Sequence, residues 1–319
     1  MEKMESNLRI CVLMATFNGA SYLREQLDSI LAQIGPQISI YISDDGSTDS
    51  TPEILEDFAR QFPAKIFLLP PNTRGRGACS NFFYLMQNVD SDLYLLADQD
   101  DLWMPDHVQS LYERYRNLSN AKQVLPTLLF SDMKIITSDG RLLTHSFLNA
   151  EKLPNDAAPA HFYFMQNNVS GCVTLFNQAL KNYVLKNPDF LWQNLSKIPM
   201  HDAFLATTAA IFGNIYFVRK ALSLYRHHDK NTVGVQDITS RKHIFERLKH
   251  QSDDIKRSMQ YAEFFAKYFE QELKAGKLKI LQEFAHLESK SKIQRILFML
   301  RHQFLKAGSL RRCVQLWNA

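Results

Sequence analysis

Apolar and polar positions alternate on two periods through the first 118 residues. Residues 8–14 (LRICVLM) form a mostly apolar run, which predicts a strand buried on both faces. Residues 21–33 place Leu23, Leu27, Ile30 and Leu31 at helical spacing, and Gly35-Pro36 ends the pattern. Residues 38–42 (ISIYI) predict a second strand. A helix follows, capped by Thr48 or Ser50, with Ile54, Leu55 and Phe58 on one face. Residues 65–69 predict a third strand, 78–87 a helix and 92–97 a fourth strand. Pro105 opens a further helix to about residue 118.

Four strand–helix alternations in this length predict a doubly wound, mostly parallel sheet of the α/β class. Ligands of such sheets bind beyond the carboxyl ends of the strands. Three polar clusters stand at those ends: Thr16-Phe17-Asn18, Asp44-Asp45-Gly46-Ser47 and Asp98-Gln99-Asp100-Asp101. The middle of the chain is less regular, with short strands expected at 127–130, 173–176 and 214–218. After Gly234 the period becomes helical throughout. Ile244, Leu248, Ile255 and Met259 form one stripe; Phe264, Phe265, Tyr268 and Phe269 form another; Leu278, Leu281, Phe284, Ile293, Ile296, Leu297, Leu300 and Phe304 continue it. The expected division is therefore 1–234 and a helical region, 235–319.

Composition narrows the class without naming a function. The 319 residues are 45% hydrophobic and 22% charged, which excludes wholesale disorder. The net charge of +4 is low for a nucleic-acid-binding surface, and no nucleic-acid partner is expected. Cys11, Cys79, Cys172 and Cys313 are widely spaced, so neither a zinc site nor a disulfide framework is predicted. No leader-like apolar segment precedes the first strand, and residues 203–218 are too short to span a bilayer. The expected location is the cytoplasm, with peripheral contact at the inner face of the cell membrane. Charge is unevenly distributed. Residues 235–319 hold 17 Lys and Arg against 9 Asp and Glu, a net of +8, and the remainder carries −4. The apolar stripes of the tail suit a helical cap or an oligomer contact. Its basic excess suits an anionic membrane surface.

The polar clusters suggest chemistry. Three carboxylates within Asp98–Asp101 repel one another unless neutralised, and Mg²⁺ or Mn²⁺ would do so while also meeting diphosphate oxygens. The alternative is a solvated turn, with Asp101 or Asp106 capping the next helix. Asp45, at a strand end beside Gly46, can accept from a pyrimidine N3–H or ribose hydroxyls, whereas Thr48 or Asp49 can cap. Phe17 can stack on a base or sit in the core. His201-Asp202 precedes an uncharged helix, where Asp202 is a cap, a general base, or both. In Tyr225-Arg226-His227-His228-Asp229-Lys230-Asn231, His228 can complete a metal shell and Arg226 can neutralise phosphate; the loop can also be a simple linker.

Taken together, residues 15–18, Asp44–Asp49, Asp98-Gln99-Asp100-Asp101-Leu102-Trp103, His201-Asp202 and 225–234 resemble the inverting family 2 glycosyltransferases of GT-A fold. The resemblance covers roughly residues 8–234, and two of its motifs look most like bacterial rhamnosyltransferases of surface polysaccharide synthesis, lipopolysaccharide included. It implies a nucleotide-sugar donor, dTDP-rhamnose or a UDP-sugar, and a saccharide acceptor carried on a lipid. It implies that Ala15, Phe17, Asn18, Asp45, Arg74, Arg76, Asp98, Gln99, Arg226 and His228 bind the donor. Asp100, with Asp98 and His228, would hold Mn²⁺ or Mg²⁺. Asp202 would be the general base, and Trp103 and His201 would lie on the acceptor side. Position 201 holds His where many members have Glu, and position 99 is Gln.

Other classes are weaker. A dinucleotide-dependent oxidoreductase needs GxGxxG after the first strand, and Asn18-Gly19-Ala20-Ser21 does not supply it. A non-catalytic nucleotide-sugar-binding protein would lack the base or the metal ligand, and both are present here. A scaffold whose tail recruits partners would release no nucleotide from a donor.

Overall fold

The computed structural model describes residues 8–228 and 251–318. The expected boundary at 234, residues 229–234 of the polar loop, and Ile244 and Leu248 lie outside these residues.

Among the described residues nine strands form one sheet: β1 (Ile10–Thr16), β2 (Ile38–Asp44), β3 (Ile66–Leu68), β4 (Leu93–Asp98), β5 (Leu102–Trp103), β6 (Thr127–Thr137), β7 (Leu142–Thr144), β8 (Thr174–Asn177) and β9 (Asn214–His227). The order is β3-β2-β1-β4-β8-β6-β9-β5, with β7 on β6. The first four strands are mutually parallel, as the alternating pattern predicts. The second half is mixed: β8 runs antiparallel to both β4 and β6, whereas β6 and β9 are parallel. A mostly parallel sheet therefore describes half of the structure. Two of the three short middle strands, β6 and β9, extend much further than their apolar runs, because they pair along their lengths around a register shift at Ser131–Met133; β8 keeps its four residues.

Residues 10–14 of β1 and Leu93–Ala97 of β4 are buried because helices cover both sheet faces, which is why these strands read as apolar runs. Helices Leu23–Leu31, Thr51–Gln61 and His107–Arg116 bury Leu27, Ile54, Phe58 and Leu111 against one face. Helices Ala78–Asn88 and His201–Phe212 cover the other. Nine of the twelve residues of His201–Phe212 are buried, which explains its lack of amphipathic pattern.

Gln251–Tyr268, Ala275–Ala285, Lys292–His302 and Ser309–Trp317 form the helical tail. Its aromatic stripe docks on Phe204, which Tyr261, Phe264, Phe265, Tyr268 and Phe269 surround at centroid distances of 5.7–6.5 Å. Tail and sheet thus share a continuous hydrophobic core. No described helix is long and apolar enough to cross a membrane.

Two expected caps differ. Ser50 precedes its helix without a side-chain cap bond; Asp49 Oδ1 instead accepts from the Thr51 N–H at 3.0 Å. Asp101 caps nothing: it is buried and accepts from the Arg226 N–H at 3.2 Å.

Candidate active site

Strand register assembles the site. Pairing of Thr16 with Asp44 and of Ala15 with Asp98 brings the carboxyl ends of β2, β1 and β4 together. Asp44 is consumed by the turn: it accepts from Thr16 Oγ1, from Ser47 Oγ and from the N–H groups of Gly46 and Ser47. Gly46 has φ +83°, and a Cβ there would meet Arg76 Nη1 at 2.5 Å. The turn leaves Asp45 for other work. Its Oδ2 accepts from the Gly77 N–H at 2.6 Å, and Arg76 Nη1 donates to its carbonyl at 2.6 Å. Its Oδ1 is buried without a hydrogen-bond partner. An unsatisfied buried carboxylate oxygen is costly, so this atom is poised to accept from a ligand.

Beside it, the Phe17 ring is 51% exposed, so it is not a core residue. Asn18 takes φ +48°, and its Oδ1 accepts from the Thr48 N–H at 2.8 Å. Gln99 clamps this loop: Oε1 accepts from the Phe17 N–H at 2.8 Å, and Nε2 donates to the Phe17 carbonyl at 2.9 Å. Its amide is thus committed to positioning Phe17 rather than to donor contact, a role the sequence does not signal.

Four aspartates follow different environments. Burial raises Asp98 to about 7, helped by the charges of Asp100 and Asp202. Burial also raises Asp101 well above the carboxylate range, helped by the charges of Asp100 and Asp98, although the Arg226 N–H donates to it. Asp100 Oδ2 lies 2.9 Å from His228 Nε2, and the His228 ring stacks on Tyr22 at 5.0 Å. Asp202 opens helix His201–Phe212. Its Oδ1 accepts from the Ala203 N–H at 2.6 Å and its Oδ2 from the Gly171 N–H at 3.2 Å. Burial outweighs these bonds and lifts it to about 6. The electrostatic influence of Asp202 on Asp98 ties this helix end to the β4 carboxylates.

Two groups of potential ligands result. Adjacent ligands on an octahedral Mg²⁺ at about 2.0–2.1 Å stand about 2.9 Å apart. The Asp100–His228 pair is a 2.9 Å hydrogen bond with partial solvent access; its carboxylate suits Mg²⁺ or Mn²⁺, and its imidazole, a borderline ligand, suits Mn²⁺ better than Mg²⁺. Asp98, Asp101 and Cys172 also bring ligand atoms within 4.8 Å of one another. That group is closed and includes a thiol whose pKa burial raises, so it fits such an ion less well.

Four expected placements need correction. Trp103 is buried and stacked on His107 at 4.0 Å, so its faces do not meet an acceptor. The His201 ring is buried against Phe82, at 4.0 Å, and burial lowers it to about 3; it packs beneath Asp202 rather than lining an open acceptor surface. Arg226 is buried and engaged with protein. It pairs with Glu25 at 2.6 Å, donates to the Asp100 and Ser138 carbonyls, and lies over Tyr22, so it braces the aspartate loop rather than reaching for diphosphate. Arg74 meets Asp189 at 2.8 Å and the Trp192 ring. Sequence reasoning also missed Glu25, Tyr22 and the Gly77 and Gly171 N–H groups. These act through the backbone or across more than a hundred residues and leave no local motif.

The family model described as glycosyl transferase family 2 matches residues 11–134. A dTDP-rhamnosyl transferase, RfbG of Shigella flexneri, is 31% identical over 231 residues, covering 69% of this chain and 73% of that protein. Among solved structures, S. aureus TarS 1-349 in complex with UDP-GlcNAc superposes with a TM-score of 0.52 at 16% identity, covering 98% of this chain and 89% of that one. The mannosyltransferase PcManGT of Pyrobaculum calidifontis, in complex with GDP-Man and Mn²⁺, gives 0.53 at 14% identity, covering 94% and 74%. Both likenesses identify the GT-A fold.

Proposed function

The chain belongs to glycosyl transferase family 2, and from that premise we propose that it moves L-rhamnose from dTDP-β-L-rhamnose to a hydroxyl of a surface-polysaccharide acceptor carried on a lipid, with inversion. The observation that carries this reading is the convergence of Asp45, the Asp98–Asp101 carboxylates and Asp202 at one sheet edge. Rhamnose as the donor sugar rests on the Shigella relative.

Asp45 Oδ1 accepts from N3–H of the donor's thymine, with the Phe17 ring beside the base. Uracil carries the same donor, so Asp45 admits both pyrimidines. Asp100 and His228, with Asp98 adjacent, would hold a Mn²⁺ or Mg²⁺ ion, which would supply charge neutralisation for the diphosphate. Asp202 accepts the acceptor hydroxyl proton as oxygen bonds to the anomeric carbon and the bond to diphosphate breaks. Proton transfer of this kind contributes about 10²–10⁴-fold. The Ala203 and Gly171 N–H groups fix the carboxylate while leaving lone pairs on it.

The test is a thermal-shift panel of nucleotide-sugars with Mn²⁺, followed by transfer assays on Asp100→Ala. Stabilisation by dTDP-rhamnose above UDP-sugars, and loss of most transfer in the variant, are expected. A larger shift with a UDP-hexose overturns the donor assignment, and wild-type transfer by Asp100→Ala overturns its role as ligand.

A further inference from the structure

The last two described helices expose what the rest of the tail buries. Helix Lys292–His302 is well formed: Ser291 and Gln294 make a reciprocal capping box at its start. It buries Phe298 and Met299 but turns Ile293, Leu297 and Leu300 outward, at i, i+4 and i+7 on one face. Helix Ser309–Trp317 repeats the pattern, burying Gln315 and exposing Leu310 and Trp317 seven residues apart. These five side chains are 44–77% exposed. Lys292 joins the two helices, donating to the Trp317 carbonyl at 2.6 Å and lying 4.8 Å from its ring centroid.

Charge selects the occupant. Residues 289–319 contain seven Lys and Arg and neither Asp nor Glu. Lys306, Arg311 and Lys290 pair with Asp254, Glu151 and Glu283 of neighbouring segments, whereas Lys292, Arg301 and Arg312 are exposed around the apolar residues. A second copy docked face to face would bring two such basic surfaces together. An anionic lipid surface offers acyl chains to the apolar face and phosphates to its rim.

We propose that helices Lys292–His302 and Ser309–Trp317 dock this protein on an anionic bilayer, with Ile293, Leu297, Leu300, Leu310 and Trp317 entering the interface. The proposal stands apart from the donor and acceptor chemistry. Co-sedimentation of the full chain with phosphatidylcholine vesicles, with and without phosphatidylglycerol, tests it. Binding to the phosphatidylglycerol vesicles that weakens at high salt is expected. Leu297→Gln combined with Leu310→Gln touches exposed atoms, so unfolding temperature is retained while binding falls at least ~10-fold. Arg301→Gln is expected to weaken binding by ~5-fold. No sedimentation at low salt, or equal sedimentation of the double variant, overturns the proposal. So does light scattering that shows a dimer which the double variant dissolves, without vesicle binding.

Discussion

In the role proposed for it, Asp202 carries opposite consequences for stability and for catalysis, and Asp202→Asn separates them. Burial moves this carboxyl from its ordinary 3.8 to about 6 in the folded chain. The shift costs about 3 kcal/mol of folding free energy at neutral pH. The sign follows from the charge: a raised folded pKa favours the neutral acid. The penalty is absent below 3.8, grows as pH rises, and is complete above about 6. By pH 5 it has shrunk to roughly half. Asparagine keeps one acceptor oxygen for the Ala203 or Gly171 N–H and loses the other, at about 1 kcal/mol. The net expectation at pH 8 is a variant stabilised by about 2 kcal/mol, a rise in Tm of about 2–5 °C. Relief of Asp98 from the Asp202 charge acts in the same direction.

Transfer behaves inversely. The proton acceptor is the ionised form, so the wild-type rate at pH 5 is expected at about a tenth of its plateau, and the variant rate falls by ~10²–10⁴-fold at every pH. Differential scanning fluorimetry at pH 8 and pH 5, paired with nucleotide release in the presence of acceptor, reads both effects. A variant that melts below wild type by the same margin at both pH values would show that burial of charge is not what shapes this site. A variant that transfers at half the wild-type rate would remove Asp202 from the proton-transfer step.

Asp45→Ala removes the unpartnered buried oxygen and the Gly77 contact, and is expected to weaken dTDP binding by more than ~10-fold, read by calorimetry. His228→Ala is expected to raise the Mn²⁺ concentration for half-maximal stabilisation by at least ~10-fold, with nucleotide binding in the absence of metal unchanged. Gln99→Ala frees the Phe17 backbone and is expected to raise donor KM by ~5–30-fold while kcat changes little; an unchanged KM would dismiss the clamp.

The parallel half of the sheet was legible because strands covered on both faces must be apolar runs, and helices between them must show one apolar stripe. The mixed half was not. Long pairing of β6 with β9 rests on backbone hydrogen bonds around a bulge, and no side-chain period encodes it. The same distinction holds at the site. The placement of Asp45 and Asp202 at element ends was legible in the sequence. Trp103 and Arg226 mislead because residue type announces chemistry but not direction: an indole suits a sugar, yet this one stacks on His107 in the core. Gln99 misleads in reverse, since an amide satisfied by another loop's backbone looks like any polar turn residue.

The carboxylate cluster has means besides a bound cation to relieve its repulsion. Asp101 is held toward its neutral form by burial, Asp98 titrates near 7, and Asp100 has an imidazole at hydrogen-bond distance. Arg226 lends its guanidinium to the Asp100 carbonyl from behind, and Glu25 balances it. The protein therefore distributes the repulsion among protonation, pairing and a buried cation of its own. This arrangement keeps the strand end intact when no metal is bound. A cation taken up here would compete with protons for Asp98, so its affinity is expected to rise with pH through about 7.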